Sequence, residues 1–194
     1  MQKVTEEYEF IGVSGEKNIQ ADFLSSMLVN YDYNHQNGTH KDLFHISSCD
    51  VTSYKTNDYY AKVEQHITRA KNTFGEIFKN PALGIIPKVM NNTLEYSFPS
   101  TTTFFGKTPV GKIVQTHIVY PKNENITKTF ILLYGKFKNS LLKFLFQKSF
   151  LQAAATVIEQ DTMAVENLYP RQKPKIRLLN EEIMFDAEKL YYDW

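Results

Sequence analysis

The 194-residue chain is long enough for one well-buried core and too short for two full domains, and 42% hydrophobic with 22% charged residues excludes a disordered polymer. Lys and Arg total 22 against 21 Asp and Glu, so a formal charge of +1 gives no overall field for nucleic acid or a membrane surface. There is no N-terminal apolar leader and no apolar run of the ~18 residues that a span needs, so the expectation is a soluble, cytoplasmic protein. Its single cysteine, Cys49, rules out an internal disulfide or a cysteine-rich metal site within the chain.

In chain order, residues 8–13 form a short apolar run closed by Ser14-Gly15, which predicts an opening strand. From Asn18, the apolar positions Ile19, Phe23, Met27 and Leu28 recur at helical intervals. They predict a helix from about residue 19 into the low thirties, capped by Asn18 and ended by Gly38. Strands are expected at 43–54 and 59–70, with Thr56-Asn57-Asp58 as the turn, and at about 93–98, 101–106, 112–120 and 127–137. The stretch from Ser140 to Leu168 holds neither Pro nor Gly and predicts one long helix, stopped by Pro170. Alternation of Ile176, Leu178, Ile183 and Phe185 suggests a last strand or extended segment. The sum is an α+β fold whose antiparallel sheet wraps on a long C-terminal helix.

Two places carry chemistry. The segment from Asn30 to His40 sets Asp32, His35 and His40 at the spacing D-x2-H-x4-H. In a straight helix residues five apart point about 140° away from each other, so the imidazoles converge only if the helix breaks between them. Asn37-Gly38 supplies a break; it is equally a hairpin signal, in which case both histidines are merely exposed. On the long helix, Phe150, Ala154, Val157, Ile158, Val165 and Leu168 share one stripe, and Asp161 falls near its middle. Glu159, Gln160 and Glu166 fall off it. A carboxylate in a core must be protonated, paired with a cation or bound to a metal. Two imidazoles and a carboxylate suit non-haem Fe(II), and on ligand type alone zinc as well. His117, on a strand, faces either a pocket or a hydrogen-bonded core, while His45 and His66 belong to the surface or the sheet. Phe104, Phe105, Tyr120 and Tyr134 read either as a pocket wall or, as strand aromatics usually are, as core.

These motifs resemble the catalytic domain of Rieske non-haem iron oxygenases, in the branch of vanillate demethylase-like enzymes: Asp32-x2-His35-x4-His40 early, and Glu159-Gln-Asp161-Thr-Met-Ala-Val165-Glu166 on a late helix. The resemblance implies a helix-grip (START-like) fold over 1–194 as a single catalytic domain, with His35, His40 and Asp161 as ligands of Fe(II). Asp32 would pass electrons from a neighbouring subunit's Rieske cluster. It also implies an apolar aromatic or polycyclic substrate, O2 as co-substrate, and a homotrimer. Asn30 stands two residues before Asp32, closer than the family's Asn, and its role is not carried over. Gln160 stands where the family often has an acid. With only Cys49 the chain lacks the C-x-H and C-x2-H pairs of a Rieske domain, so the [2Fe–2S] cluster is expected on a separate chain, fed by a reductase. A metal-free hydrophobe-binding helix-grip domain and an inactive oxygenase fragment are the alternatives.

Overall fold

The computed structural model describes residues 2–32, 35–36, 38–172 and 181–194. Seven antiparallel strands lie in the order β1-β7-β6-β5-β4-β3-β2: β1 Glu9–Ile19, β2 Ile46–Asn57, β3 Tyr60–Arg69, β4 Val89–Ser97, β5 Thr101–Thr108, β6 Gly111–Asn123 and β7 Ile126–Phe137. From β2 to β7 the chain meanders, and β1 returns to close against β7. Helices α1 Gln2–Glu7, α2 Phe23–Tyr31, α3 Lys41–Phe44, α4 Phe74–Lys79, α5 Ala82–Ile85, α6 Ser140–Leu168 and α7 Glu182–Asp193 complete the described elements. This is the α+β helix-grip arrangement, with α6 lying on the inner face of the sheet against β1 and β7.

Helix α6 has the predicted bounds because nothing in it breaks a helix and Asn139 caps it, its side chain accepting from the Leu142 N–H at 2.9 Å. Phe150, Ala154, Ile158 and Val165 are buried as the stripe requires, and Asp161 lies among them at 6% exposure. Leu168, at the end of the stripe, stands 71% exposed.

Several boundaries differ from the expectation. Gly15 does not end the first strand. It sits at φ +67° in a register shift between Ser14 and Lys17, and β1 runs on to Ile19. Ile19 is therefore a strand residue packed with Ala21 and Val165, and α2 starts only at Phe23. Its cap is Asp22, which accepts from Ser25 N–H at 2.7 Å, rather than Asn18. The helical spacing of Ile19 and Phe23 comes from two elements presenting one face to the same core.

The helix ends in the low thirties as predicted, at Tyr31, but its C-cap is Asp32 and not Gly38. The first hairpin turns at Asp58-Tyr59, with Asp58 at φ +43°, so Thr56 and Asn57 still belong to β2. At the C-terminus, Ile183 and Phe185 lie in α7, not in a strand. Ile183 and Ala187, four apart, pack with Phe23 and Tyr31, whereas Ile176 and Leu178 lie outside the described residues. The short inserts α4 and α5 give too few residues for a period to show.

The outer face of the sheet has its own small core, where Val4 of α1 packs with Val114 and Tyr134, and Phe105 joins them. Phe104, one residue away, faces inward, as alternation along a strand dictates. Tyr120, expected in a core, is 39% exposed. His45 holds Glu76 at 2.9 Å, and His66 pairs with Asn91 at 2.8 Å across β3 and β4.

Candidate metal centre

Beyond Asp32 the chain turns tightly. Asp32 carbonyl accepts from His35 N–H at 3.2 Å, and His35 carbonyl accepts from the N–H groups of Gly38 at 2.9 Å and Thr39 at 2.7 Å. This turn carries His35 and then His40, which stands just before α3. Helix α6 brings Asp161 to them from 121 positions beyond His40 in the chain.

The three side chains meet. His35 Nε2 and His40 Nε2 are 3.2 Å apart, and Asp161 Oδ1 lies 3.1 Å from His40 Nε2 and 3.6 Å from His35 Nε2. Ligands at ~2.1 Å from one ion stand ~3.0 Å apart at right angles and ~3.4 Å apart in a tetrahedron, so the triangle has the size that a single ion needs. Among the described residues these are the His, Cys, Asp and Glu groups that could hold a metal together.

The imidazoles are aimed by their other nitrogens. His35 Nδ1–H donates to the backbone carbonyl of Asp32, and His40 Nδ1–H donates to Gln160 Oε1 at 2.8 Å. With both Nδ1 atoms protonated and engaged, both Nε2 lone pairs point at the common centre, the tautomer that a metal site requires. Gln160 is the residue of this cluster that sequence reasoning missed: it is no solvated helix polar group, but the acceptor that holds His40. No period singles it out, since it is one 100° step from Asp161. The signal that could have found it is the need of each ligand imidazole for an acceptor. Gln160→Leu is expected to weaken metal affinity 10- to 100-fold with Gln160→Glu restoring most of it, as measured by competitive Co(II) titration.

Electrostatics agree with a cation at the centre. Burial would raise the Asp161 pKa, but the approach of His40 and the fields of His35 and His117 outweigh it and hold the carboxyl below its ordinary value. Burial would likewise lower that of His40, and the neighbouring Asp161 carboxylate, with Gln160 behind it, turns the shift upward. Asp161 Oδ1 is buried without a hydrogen-bond donor, since His40 Nε2, 3.1 Å away, carries a lone pair in this tautomer. A buried carboxylate oxygen with no donor is costly unless a cation completes it. The donor set therefore fits a divalent metal.

A cavity of about 180 Å³ adjoins the cluster, which forms part of its wall. Its lining is largely apolar, including Leu94, Phe104, Ile131 and Phe150, with Asn92 and Gln115 among the polar exceptions. His117 also faces it, and is hydrogen-bonded as well, to Thr129 Oγ1 at 2.6 Å. Burial carries the His117 pKa down to about 4, so it presents a neutral ring. Both readings of His117 thus hold together.

No family model matches the sequence, and no curated protein does. Solved structures do. The fold resembles that of dicamba monooxygenase. That enzyme, bound to 3,6-dichlorosalicylic acid, superposes with a TM-score of 0.71 at 13% identity, over 96% of this chain and 60% of its own. NdmA of Pseudomonas putida CBB5 with caffeine gives 0.62 at 11% identity, over 96% of this chain and 52% of that one. The present chain thus spans about 60% or less of these two structures' lengths. TTHA0849 from Thermus thermophilus gives 0.54 at 14% identity over 81% of this chain and 99% of its own, so the fold also makes up almost all of another chain. Likeness at such identities establishes the fold.

Proposed function

We propose that this chain is the catalytic domain of a Rieske-type non-haem iron oxygenase of the vanillate demethylase-like branch, with His35, His40 and Asp161 holding Fe(II). The observation that carries the proposal is the convergence of two tautomer-fixed imidazoles on a buried carboxylate oxygen that has no hydrogen-bond donor, at the wall of an apolar cavity. The fold likeness to a monooxygenase supports it.

Fe(II) in this ligand set supplies O2 activation, for hydroxylation or oxidative demethylation of an apolar aromatic or polycyclic substrate. The chain's own groups do the rest. Leu94, Phe104, Ile131 and Phe150 exclude water and take up the apolar body of the substrate. Neutral His117, held by Thr129, offers its remaining nitrogen to a polar substituent. Asp32, whose carbonyl orients His35, is the electron entry from a Rieske cluster on another chain, supplied by a reductase.

Protein isolated without oxygen is expected to carry iron near one per chain, restored by added Fe(II) after chelation. Iron far below one and not restored would leave the metal-free hydrophobe binder standing. Asp32→Asn should keep the iron but lose turnover with a Rieske partner. Loss of iron in that variant would refute the division of roles.

A further inference from the structure

The whole-chain charge of +1 conceals a segregation. Between Glu76 and Glu159 the sequence holds ten lysines, no arginine and two acids, Glu95 and Glu124. The fold gathers much of this charge at one end of the sheet, where β7, β5 and β3 finish and β6 and β4 begin. There Lys107, Lys112 and Lys136 stand in direct cross-strand register on β5, β6 and β7. All three are exposed, and among the described residues none makes an ion pair. Like charges directly opposite one another destabilise a sheet, so this row is a standing cost with no ion pair to offset it among the described residues. Lys138 follows it, and Lys79 and Lys88 flank it on the connection from β3 to β4, also exposed and without an ion pair among the described residues.

Large apolar side chains are exposed at the same end, on the β3–β4 connection and at the start of α6. Phe74 and Phe78, four apart on α4, are 86% and 81% exposed. Leu141, Phe144 and Leu145, in the first turns of α6, are 64%, 73% and 54% exposed. Acids at this end are few and committed or marginal. Glu9 pairs with Lys143, Glu76 is held by His45 and Thr73, and Glu6, Glu7 and Asp42 sit beside the two edge strands.

We propose that this end of the fold docks on an anionic phospholipid bilayer, the lysines meeting lipid headgroups and the phenylalanines entering the acyl boundary. Protruding aromatics at the same end of the fold as unpaired lysines suit a soft, negatively charged interface. A second copy of the chain would set one lysine row against another. The same end bears Ala82, Ile86 and Thr108, which line the apolar cavity, so a lipid-dissolved substrate would arrive at the pocket's own end of the molecule. That last step rests on the proposed oxygenase reading, whereas the docking does not.

The test is co-sedimentation of the full chain with vesicles of phosphatidylcholine alone or with about one third phosphatidylserine. Binding is expected to the anionic vesicles only, and to vanish near ~0.5 M NaCl. Lys112→Gln, Lys136→Gln and Lys138→Gln should each lower the partition about fivefold. Phe74→Ser with Phe78→Ser should lower it further at unchanged far-UV circular dichroism, since both sites are exposed. Equal binding to both vesicle types, or to neither, overturns the proposal. So does full binding by the phenylalanine variant, which would point to an acidic polypeptide, or a concentration-dependent dimer that the same variant abolishes. Iron content does not enter the readout, so failure here leaves the metal proposal untouched, and the reverse.

Discussion

Asp161→Asn is expected to lower Fe(II) affinity by more than about 100-fold, beyond the 10- to 100-fold typical of an outer hydrogen-bond partner, while changing the thermal midpoint of the metal-free protein little. The reasoning starts from Oδ1, buried and without a donor. In the metal-free state the fields of His40 and His35 little more than offset the burial of this oxygen, so an amide of the same shape gives up only a small net stabilisation. In the metal-bound state the same oxygen is one of three donors. The two quantities therefore separate: affinity collapses and stability does not. Isothermal titration with Co(II) and a thermal melt of the chelated protein measure them on one sample. A melt lowered by many degrees with metal affinity intact would make Asp161 half of a structural ion pair.

The second large effect is at Gly15. A Cβ built there would stand 2.5 Å from Ile158 Cδ1 and 2.9 Å from Ile158 Cβ, at a φ of +67° that side chains rarely adopt. Left-handed backbone costs ~1–2 kcal/mol in a residue with a side chain, and overpacking a closed core adds ~1–3 kcal/mol. Gly15→Ala is thus expected to lose about 3 kcal/mol in urea unfolding. Ile158 lies one helical turn before Asp161, so relief of the clash pushes α6 away from β1 at the very turn that delivers the carboxylate. Metal affinity should fall together with stability, which separates this variant from Asp161→Asn. Gly75, with nothing within 4 Å of the point where a Cβ would stand, serves as the control: Gly75→Ala should leave metal affinity unchanged and, within helix α4, should not lower stability.

How much of this was legible in the sequence depends on how local the physics is. Helix α6 declared itself because 29 residues without Pro or Gly show a period eight turns long, and that period exposed Asp161 as a carboxylate within an apolar stripe. His35 and His40 were legible as residue types, and the need for a break between them was legible too. The break itself was misplaced, since the hydrogen bonds that end α2 at Asp32 depend on how the turn folds. Ile19 was assigned to the wrong element because two neighbouring elements share one core face. Gln160 was invisible as the partner of His40 because the two stand 120 positions apart in the sequence. The lysine row was hidden for the same kind of reason: three positions far apart in sequence become neighbours only through strand register.

The separation of the donors along the chain has one more consequence. His40 stands at the start of a short helix in the N-terminal third, and Asp161 stands three quarters of the way along a helix near the other end. An ion shared by both would be a clasp across a loop of some 120 residues, fastening α6 to the turn after α2 where covalent chemistry offers only one cysteine. Whatever binds the folded chain and not the unfolded one adds its binding free energy to folding. Iron supply would then set how long the protein survives in a cell as well as how fast it turns over.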